Sequence, residues 1–193
     1  CMVVVNGVSN VTGAENDVDG IGRLLRNTSA LYLVDGAQMA GHKRIKVDNQ
    51  LIDGLCVPSH KGLLGIVGAG ALILGGKAKI RPTVFGGTGF DTFSKGMPDN
   101  LPESLEAGTV NLPAILSMKE GVDYLGDNVD YVASQLKGLT EYFVSELSAR
   151  PYLRLYSIPN DSGIVAFSHN DFSSQSLSEL LSDKYDIATR GGY

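Results

Sequence analysis

LYLVDGAQMAG, residues 31–41, and GLCVPSHKGLLG, residues 54–65, share one build: a short apolar run, a stop at a polar residue, and a glycine-containing turn. Apolar runs of this length, bounded by turn residues, read as buried strands. Two further runs, Met2 to Val5 and Ala69 to Leu74, bring the set to four. Val18 to Arg26, between the Met2 and Leu31 runs, carries helical spacing. Near-continuous Val, Leu and Ile runs alternating with helix are what a parallel sheet covered on both faces requires, so the expected fold class is α/β with a mainly parallel sheet. Ligands of such sheets bind at the carboxyl ends of strands. The turns Asp35 to Gln38 and Ser59 to Lys61 therefore predict one shared crevice.

Working outward, Lys77 to Pro102 is rich in Gly, Pro and Asp and reads as a long loop, a candidate site wall. LEAGT, residues 105–109, follows it. From Leu112 to Leu147 apolar residues recur at helical spacing, with a break expected near Gly126-Asp127. After Pro151 the pattern becomes strand (Tyr152 to Ile158), strand (Ile164 to Phe167), helix (Leu177 to Tyr185) and strand (Ile187 to Thr189). Three regions are expected: 1–110, a connecting helix over 111–150, and a small α/β unit over 151–193.

The 193 residues are 43% hydrophobic, enough for a sizeable core, and the formal net charge is -5. The scattered Lys and Arg residues form no basic field, which argues against a nucleic-acid partner. The longest apolar stretch, Gly62 to Gly76, is interrupted by glycines and too short to span a bilayer, so no membrane association is expected. Cys1 and Cys56 are too few for a disulfide framework, and no secretory signal opens the chain, which predicts a reducing, cytoplasmic setting. His42 and His169 sit in polar turns and are expected to be solvated, whereas Cys56 is expected in the core. None has metal-ligand spacing.

Lys61 and Asp35, at the ends of neighbouring strands, are the pair that pyridoxal 5'-phosphate chemistry needs: a lysine to hold the cofactor as an imine, and a carboxylate to keep its ring nitrogen protonated. VSNVTG (8–13), VDGAQMAG (34–41), SHKGLLG (59–65), FGGTGFDTF (85–93) and LPESLEAGTVNLPAI (101–115) together resemble the cysteine desulfurase branch of the class V aminotransferases. That resemblance implies a fold-type-I pyridoxal-phosphate enzyme. Residues 1–110 would be the second half of its cofactor-binding large domain, and residues 151–193 part of its small C-terminal domain. It further implies that Lys61 is the cofactor lysine and Asp35 the partner of the ring nitrogen. Gln38 would bond the ring oxygen, Asn10 would lie beside cofactor and substrate carboxylate, and His60 would contact the phosphate. Thr109 would reach the phosphate of a partner subunit's cofactor across a homodimer interface. Arg190 falls where the family places an arginine near the substrate.

KYDIATRGGY (184–193) resembles the segment leading into the family's reactive cysteine, so the chain is expected to be an internal piece of a longer protein. The implied activity is removal of sulfur or selenium from cysteine or selenocysteine, with a sulfur-acceptor protein as partner. A class V transaminase or lyase would need the same Lys61 and Asp35. An inert folded fragment is the reading of another kind. One departure stands beside the lysine: relatives carry Ser or Thr, then Gly-His-Lys, whereas this chain has Pro58-Ser59-His60-Lys61. Proline offers no N–H or side-chain donor, so either Ser59 takes over the phosphate contact or the cofactor is held less tightly. A second departure is IVGAG (66–70), where relatives carry a proline-containing pair.

Overall fold

A computed structural model describes residues 1–76, 78–89 and 93–192. Lys77 and the Phe90 to Thr92 part of the FGGTGFDTF motif, both within the expected long loop, lie outside the described residues, as does Tyr193.

Four strands form one sheet in the order β1 (Met2–Asn6), β2 (Leu31–Asp35), β3 (Gly54–Pro58) and β4 (Gly70–Leu74). The first three are parallel, with Asn6 opposite Asp35 and Asp35 opposite Cys56. β4 runs antiparallel to β3, with Pro58 opposite Gly70. The connection over 59–69 falls short of the dozen or more residues a parallel crossover takes. The chain is thus an α/β unit with a mainly parallel sheet, as the apolar runs predict.

Alternation along each strand sends Tyr32, Val34, Leu55 and Val57 to one face, where they join Val8, Val18, Met39, Ala40 and Ile52 in the core. Helix α1 (Val18–Leu25) covers this face, its first turn capped by Asp17, whose carboxylate accepts from the Gly20 N–H at 2.8 Å. Asp53, buried, accepts from the Tyr32 N–H at 2.8 Å, which ties the start of β2 to the residue before β3. The opposite face is open: Met2, Val4 and Leu72 are exposed there. Cys56, opposite Leu72, is exposed as well and not a core residue, because no described layer covers that side of β3.

Helix α2 runs unbroken from Leu112 to Ser148, with Asn111 as its cap and Pro113 in its first turn. The break expected at Gly126-Asp127 is absent. Arg44 holds that turn from outside, donating to the Gly126 carbonyl at 3.4 Å and pairing with Asp130 at 3.1 Å. The final region is smaller than its sequence pattern suggests. β5 (Leu153–Leu155) pairs antiparallel with β6 (Phe167–His169), and α3 (Ser174–Tyr185) follows. Ile187 to Thr189 is not a strand. Asp186 takes a left-handed conformation that closes α3, and the Thr189 carbonyl accepts from the Ser178 hydroxyl at 3.0 Å, leaving the tail on the helix. His169 is half-buried between Tyr152 and Phe172, not solvated, its ring centroid 5.2 and 5.0 Å from theirs.

Candidate active site

Three loops leave the carboxyl ends of the three parallel strands, and the backbone ladder runs on into them: the Gly7 N–H donates to Asp35 O at 2.8 Å and the Gly36 N–H to Cys56 O at 2.9 Å. The loop after β1 is folded by Ser9, whose hydroxyl accepts from the N–H groups of Val11 and Thr12, both at 3.2 Å. Asn10 stands exposed at its tip.

The loop after β2 begins with an Asx turn in which Asp35 Oδ1 accepts from the Ala37 N–H at 2.9 Å. The Gly36 carbonyl then accepts from Met39 at 3.0 Å and Ala40 at 2.9 Å, which buries Met39 and Ala40 and leaves Gln38 half-buried. Oδ2 of Asp35 and the side-chain amide of Gln38 bond no protein group among the described residues. His42, expected in solvent, is half-buried, with Nδ1 3.2 Å from the Gln38 carbonyl.

The loop after β3 carries Ser59, His60 and Lys61. Ser59 is fully buried, and its hydroxyl donates to the Ile66 carbonyl at 2.5 Å while its own carbonyl accepts from the Gly65 N–H at 2.9 Å. That hydroxyl hydrogen is committed to the loop's own closure. His60 projects into solvent, and the half-buried Lys61 has an ammonium with no hydrogen bond or ion pair among the described residues.

Two glycines bring the second and third loops into contact. A Cβ on Gly41, at φ +87°, would lie 2.0 Å from the Gly62 carbonyl oxygen, and one on Gly62 would lie 2.2 Å from the Ala40 carbonyl oxygen. Backbone packs on backbone there, so the turn bearing Asp35 and Gln38 is fixed against the turn bearing Lys61. Helix α2 supports the third loop from behind: a Cβ on Gly121 would lie 1.9 Å from the Leu63 carbonyl oxygen, and Ser117 accepts from the Ile66 N–H at 3.0 Å.

Thr109 and Arg190 make no hydrogen bond or ion pair with this group among the described residues. Thr109 is exposed beside Gly108, whose N–H donates to the Gly87 carbonyl at 2.6 Å, and Arg190 is exposed on the tail beyond α3. Sequence reasoning missed the contacts that tie the loops together. Lys43, after β2, pairs with Glu15, after β1. Asn160, in a PNDSG turn, is the buried centre of the segment that grips the first loop. The turn signature was visible in the sequence, but partners 20 residues away, such as Thr140, were not.

The donor set fits pyridoxal 5'-phosphate: among the described residues, an unpaired amine, a carboxylate with one oxygen to spare and an amide without a partner, set on adjoining turns at the carboxyl ends of β2 and β3. A family model described as aminotransferase class-V matches residues 1–193. A probable cysteine desulfurase from Methanothermobacter thermautotrophicus is 30% identical over 198 residues, covering all of this chain and 50% of the relative. Another from Haemophilus influenzae is 33% identical, covering 99% of this chain and 45% of the relative. Among solved structures, the cysteine desulfurase CsdA from Escherichia coli superposes with a TM-score of 0.86 at 26% identity, over 98% of this chain and 48% of that one. The apo cysteine desulfurase from Thermococcus onnurineus NA1 gives 0.80 at 26% identity, over 98% and 49%. The chain spans about half the length of the curated relatives it matches.

Proposed function

This chain belongs to the class-V aminotransferase family, and we propose that it supplies the cofactor-holding residues of a pyridoxal-phosphate enzyme that removes sulfur from cysteine, or selenium from selenocysteine. The observation that carries this reading is the fixed juxtaposition of Asp35 and Lys61, on turns that follow adjacent parallel strands and are locked by the Gly41–Gly62 contact. When bound, pyridoxal 5'-phosphate supplies an electron sink for negative charge developing beside the substrate's amino group.

The chain's own residues have distinct tasks. Lys61 would hold the cofactor covalently and would serve as the base for the proton on the substrate's Cα. Asp35 Oδ2 would hold the proton on the ring nitrogen, while Oδ1 stays on the Ala37 N–H, which fixes the carboxylate's orientation. Gln38 would donate its amide to the ring oxygen, and the exposed His60 and Asn10 would serve the phosphate and the substrate carboxylate. Arg190 is proposed for substrate binding and Thr109 for the phosphate of a second subunit in a homodimer. Region 1–110 is proposed as part of a large domain and 151–193 as part of a small one. A thiolate from outside these residues is proposed to receive the sulfur and pass it to an acceptor protein. No described helix is long and apolar enough to cross a membrane, and a cytoplasmic location is proposed.

Because the Ser59 hydroxyl already donates to Ile66, we favour a weakened phosphate grip over a transfer of that contact from position 58 to Ser59. The test is direct. With cofactor added, the protein should turn yellow, borohydride should fix the cofactor onto a peptide containing Lys61, and Lys61→Ala should abolish both. Labelling at a different lysine would refute the assignment. Sulfide release from cysteine by the whole enzyme, against keto-acid formation without sulfide, separates a desulfurase from a transaminase.

A further inference from the structure

Behind the candidate site, the loop after β1 is gripped by residues 157–164, the segment joining β5 to β6. The Ser157 hydroxyl donates to the Thr12 carbonyl at 2.7 Å. Gly13, at φ +71°, leaves no room for a side chain: a Cβ would lie 2.8 Å from Asn160 Nδ2 and 2.9 Å from both Ser162 Oγ and the Ile164 carbonyl oxygen. The gripping segment is itself stiff. Asn160 Nδ2 donates to the carbonyls of Ile158 (2.9 Å) and Ile164 (2.8 Å), and its Oδ1 accepts from the Ser162 hydroxyl at 2.7 Å. Thr140 of α2 donates to the Asn160 carbonyl at 2.5 Å and accepts from its N–H at 3.1 Å.

Glu15 and Asp161 meet across this contact, lining a cleft of about 330 Å³ together with Lys137 of α2. Asp161 Oδ1 is buried and has no donor among the described residues, while the Glu15 carboxyl lies within hydrogen-bonding reach of Asp161. Two ionised carboxylates can only accept, so the buried oxygen would stay unsatisfied and face a like charge. A proton on Glu15 supplies a donor. The Lys43 ammonium contacts Glu15 from the loop after β2. Lys137 completes the charged groups lining the cleft.

We propose that a proton on Glu15, donated to Asp161, forms a pH-operated latch between the loop after β1 and the segment 157–164, closed with the proton and released without it. Burial, and then the Asp161 carboxyl, push Glu15 above its ordinary value of 4.5, against the opposing pull of Lys43. A proton affinity raised by folding gives stability that is fully present below the ordinary value and is lost as pH rises through the raised one. The latch therefore loosens as pH rises through the Glu15 midpoint. It stands without the cofactor reading, although the loop it holds carries Asn10.

Carboxyl ¹³C NMR of the full chain tests this. The Glu15 carbon should titrate above 4.5, and Asp161→Asn, whose amide donates permanently to Glu15, should lower that midpoint. Amide hydrogen exchange gives the second readout. Corrected for intrinsic rates, protection at Asn160 and Ser162 should fall about tenfold for each unit by which Glu15 is raised, as pH climbs through its midpoint. In Glu15→Gln, whose amide bonds Asp161 at every pH, protection should stay flat. A Glu15 midpoint at or below 4.5, or an unchanged loss of protection in Glu15→Gln, overturns the latch. Should Glu15→Gln fail to fold, Asp161→Asn carries the exchange test with the same expected and overturning results.

Discussion

Replacing Gly41 by alanine should pull apart the two turns that define the candidate site. Its Cβ would sit 2.0 Å from the Gly62 carbonyl oxygen and 2.3 Å from the carbonyl carbon, where ordinary contacts begin at 3.4 Å. Both obstacles are main chain, so no rotamer change relieves them, and the turns must separate by more than an ångström. A left-handed conformation costs an alanine roughly 1–2 kcal/mol, and forcing extra volume into a packed contact costs about 1–3 kcal/mol. The sum, about 2–5 kcal/mol, corresponds to a fall in melting temperature on the order of 10 °C for a chain of this size. Thermal melts by circular dichroism measure that loss, and visible absorbance with added cofactor measures the site. Cofactor linkage should weaken more than stability alone explains, since an ångström of misplacement can cost about 100-fold in reactivity. Gly62→Ala should behave alike, and the double variant should cost less than the sum of the singles, because one separation relieves both clashes. Gly87→Ala, which meets nothing within 4 Å, is the control. A Gly41→Ala protein that melts like the parent and binds cofactor normally would refute the claim that this contact positions Lys61.

Within α2, glycines differ by environment. Gly138→Ala meets nothing within 4 Å and should raise stability by about 0.5–1 kcal/mol, whereas Gly121→Ala, facing the Leu63 carbonyl, should lower it by about 1–3 kcal/mol; urea unfolding distinguishes the two. The Tyr32 phenol, pushed up to about 12 by burial and then by the charges of Asp19 and Asp17, should ionise after the exposed tyrosines in an alkaline ultraviolet titration. Its contribution to stability should be intact below pH 10 and vanish as pH rises toward 12.

The four strands were legible because each is a run of apolar residues ended by a polar or glycine turn, and a run of that kind has few other ways to be buried. The meeting of the Asp35 and Lys61 turns was legible too, from the rule that strand ends gather in a parallel sheet. The direction of β4 was decided by the length of its connection rather than by its composition, and the apolar run alone carries no direction. Gly126-Asp127 looked like a break because glycine disfavours helix, yet a helix anchored at Asn111 and braced by Arg44 runs through it. Cys56 shows the limit of local pattern: an apolar strand says that one face is buried, and only the layers actually present decide the other. Asn160, Thr140, Glu15 and Lys43 were invisible as a group because their contacts join distant segments, and no periodicity records such pairings.

Helix α2 also constrains how the length of this sequence can vary. Its first half braces the Lys61 loop through Gly121 and Ser117, and its second half holds the Asn160 segment through Thr140. One residue inserted between those anchors would turn everything downstream by about 100° and advance it by about 1.5 Å, aiming Thr140 away from Asn160. Insertions and deletions among functional relatives should therefore gather before Leu112 or after Ser148, and changes inside the helix should come as substitutions. Its span is a fixed gauge between the two loops.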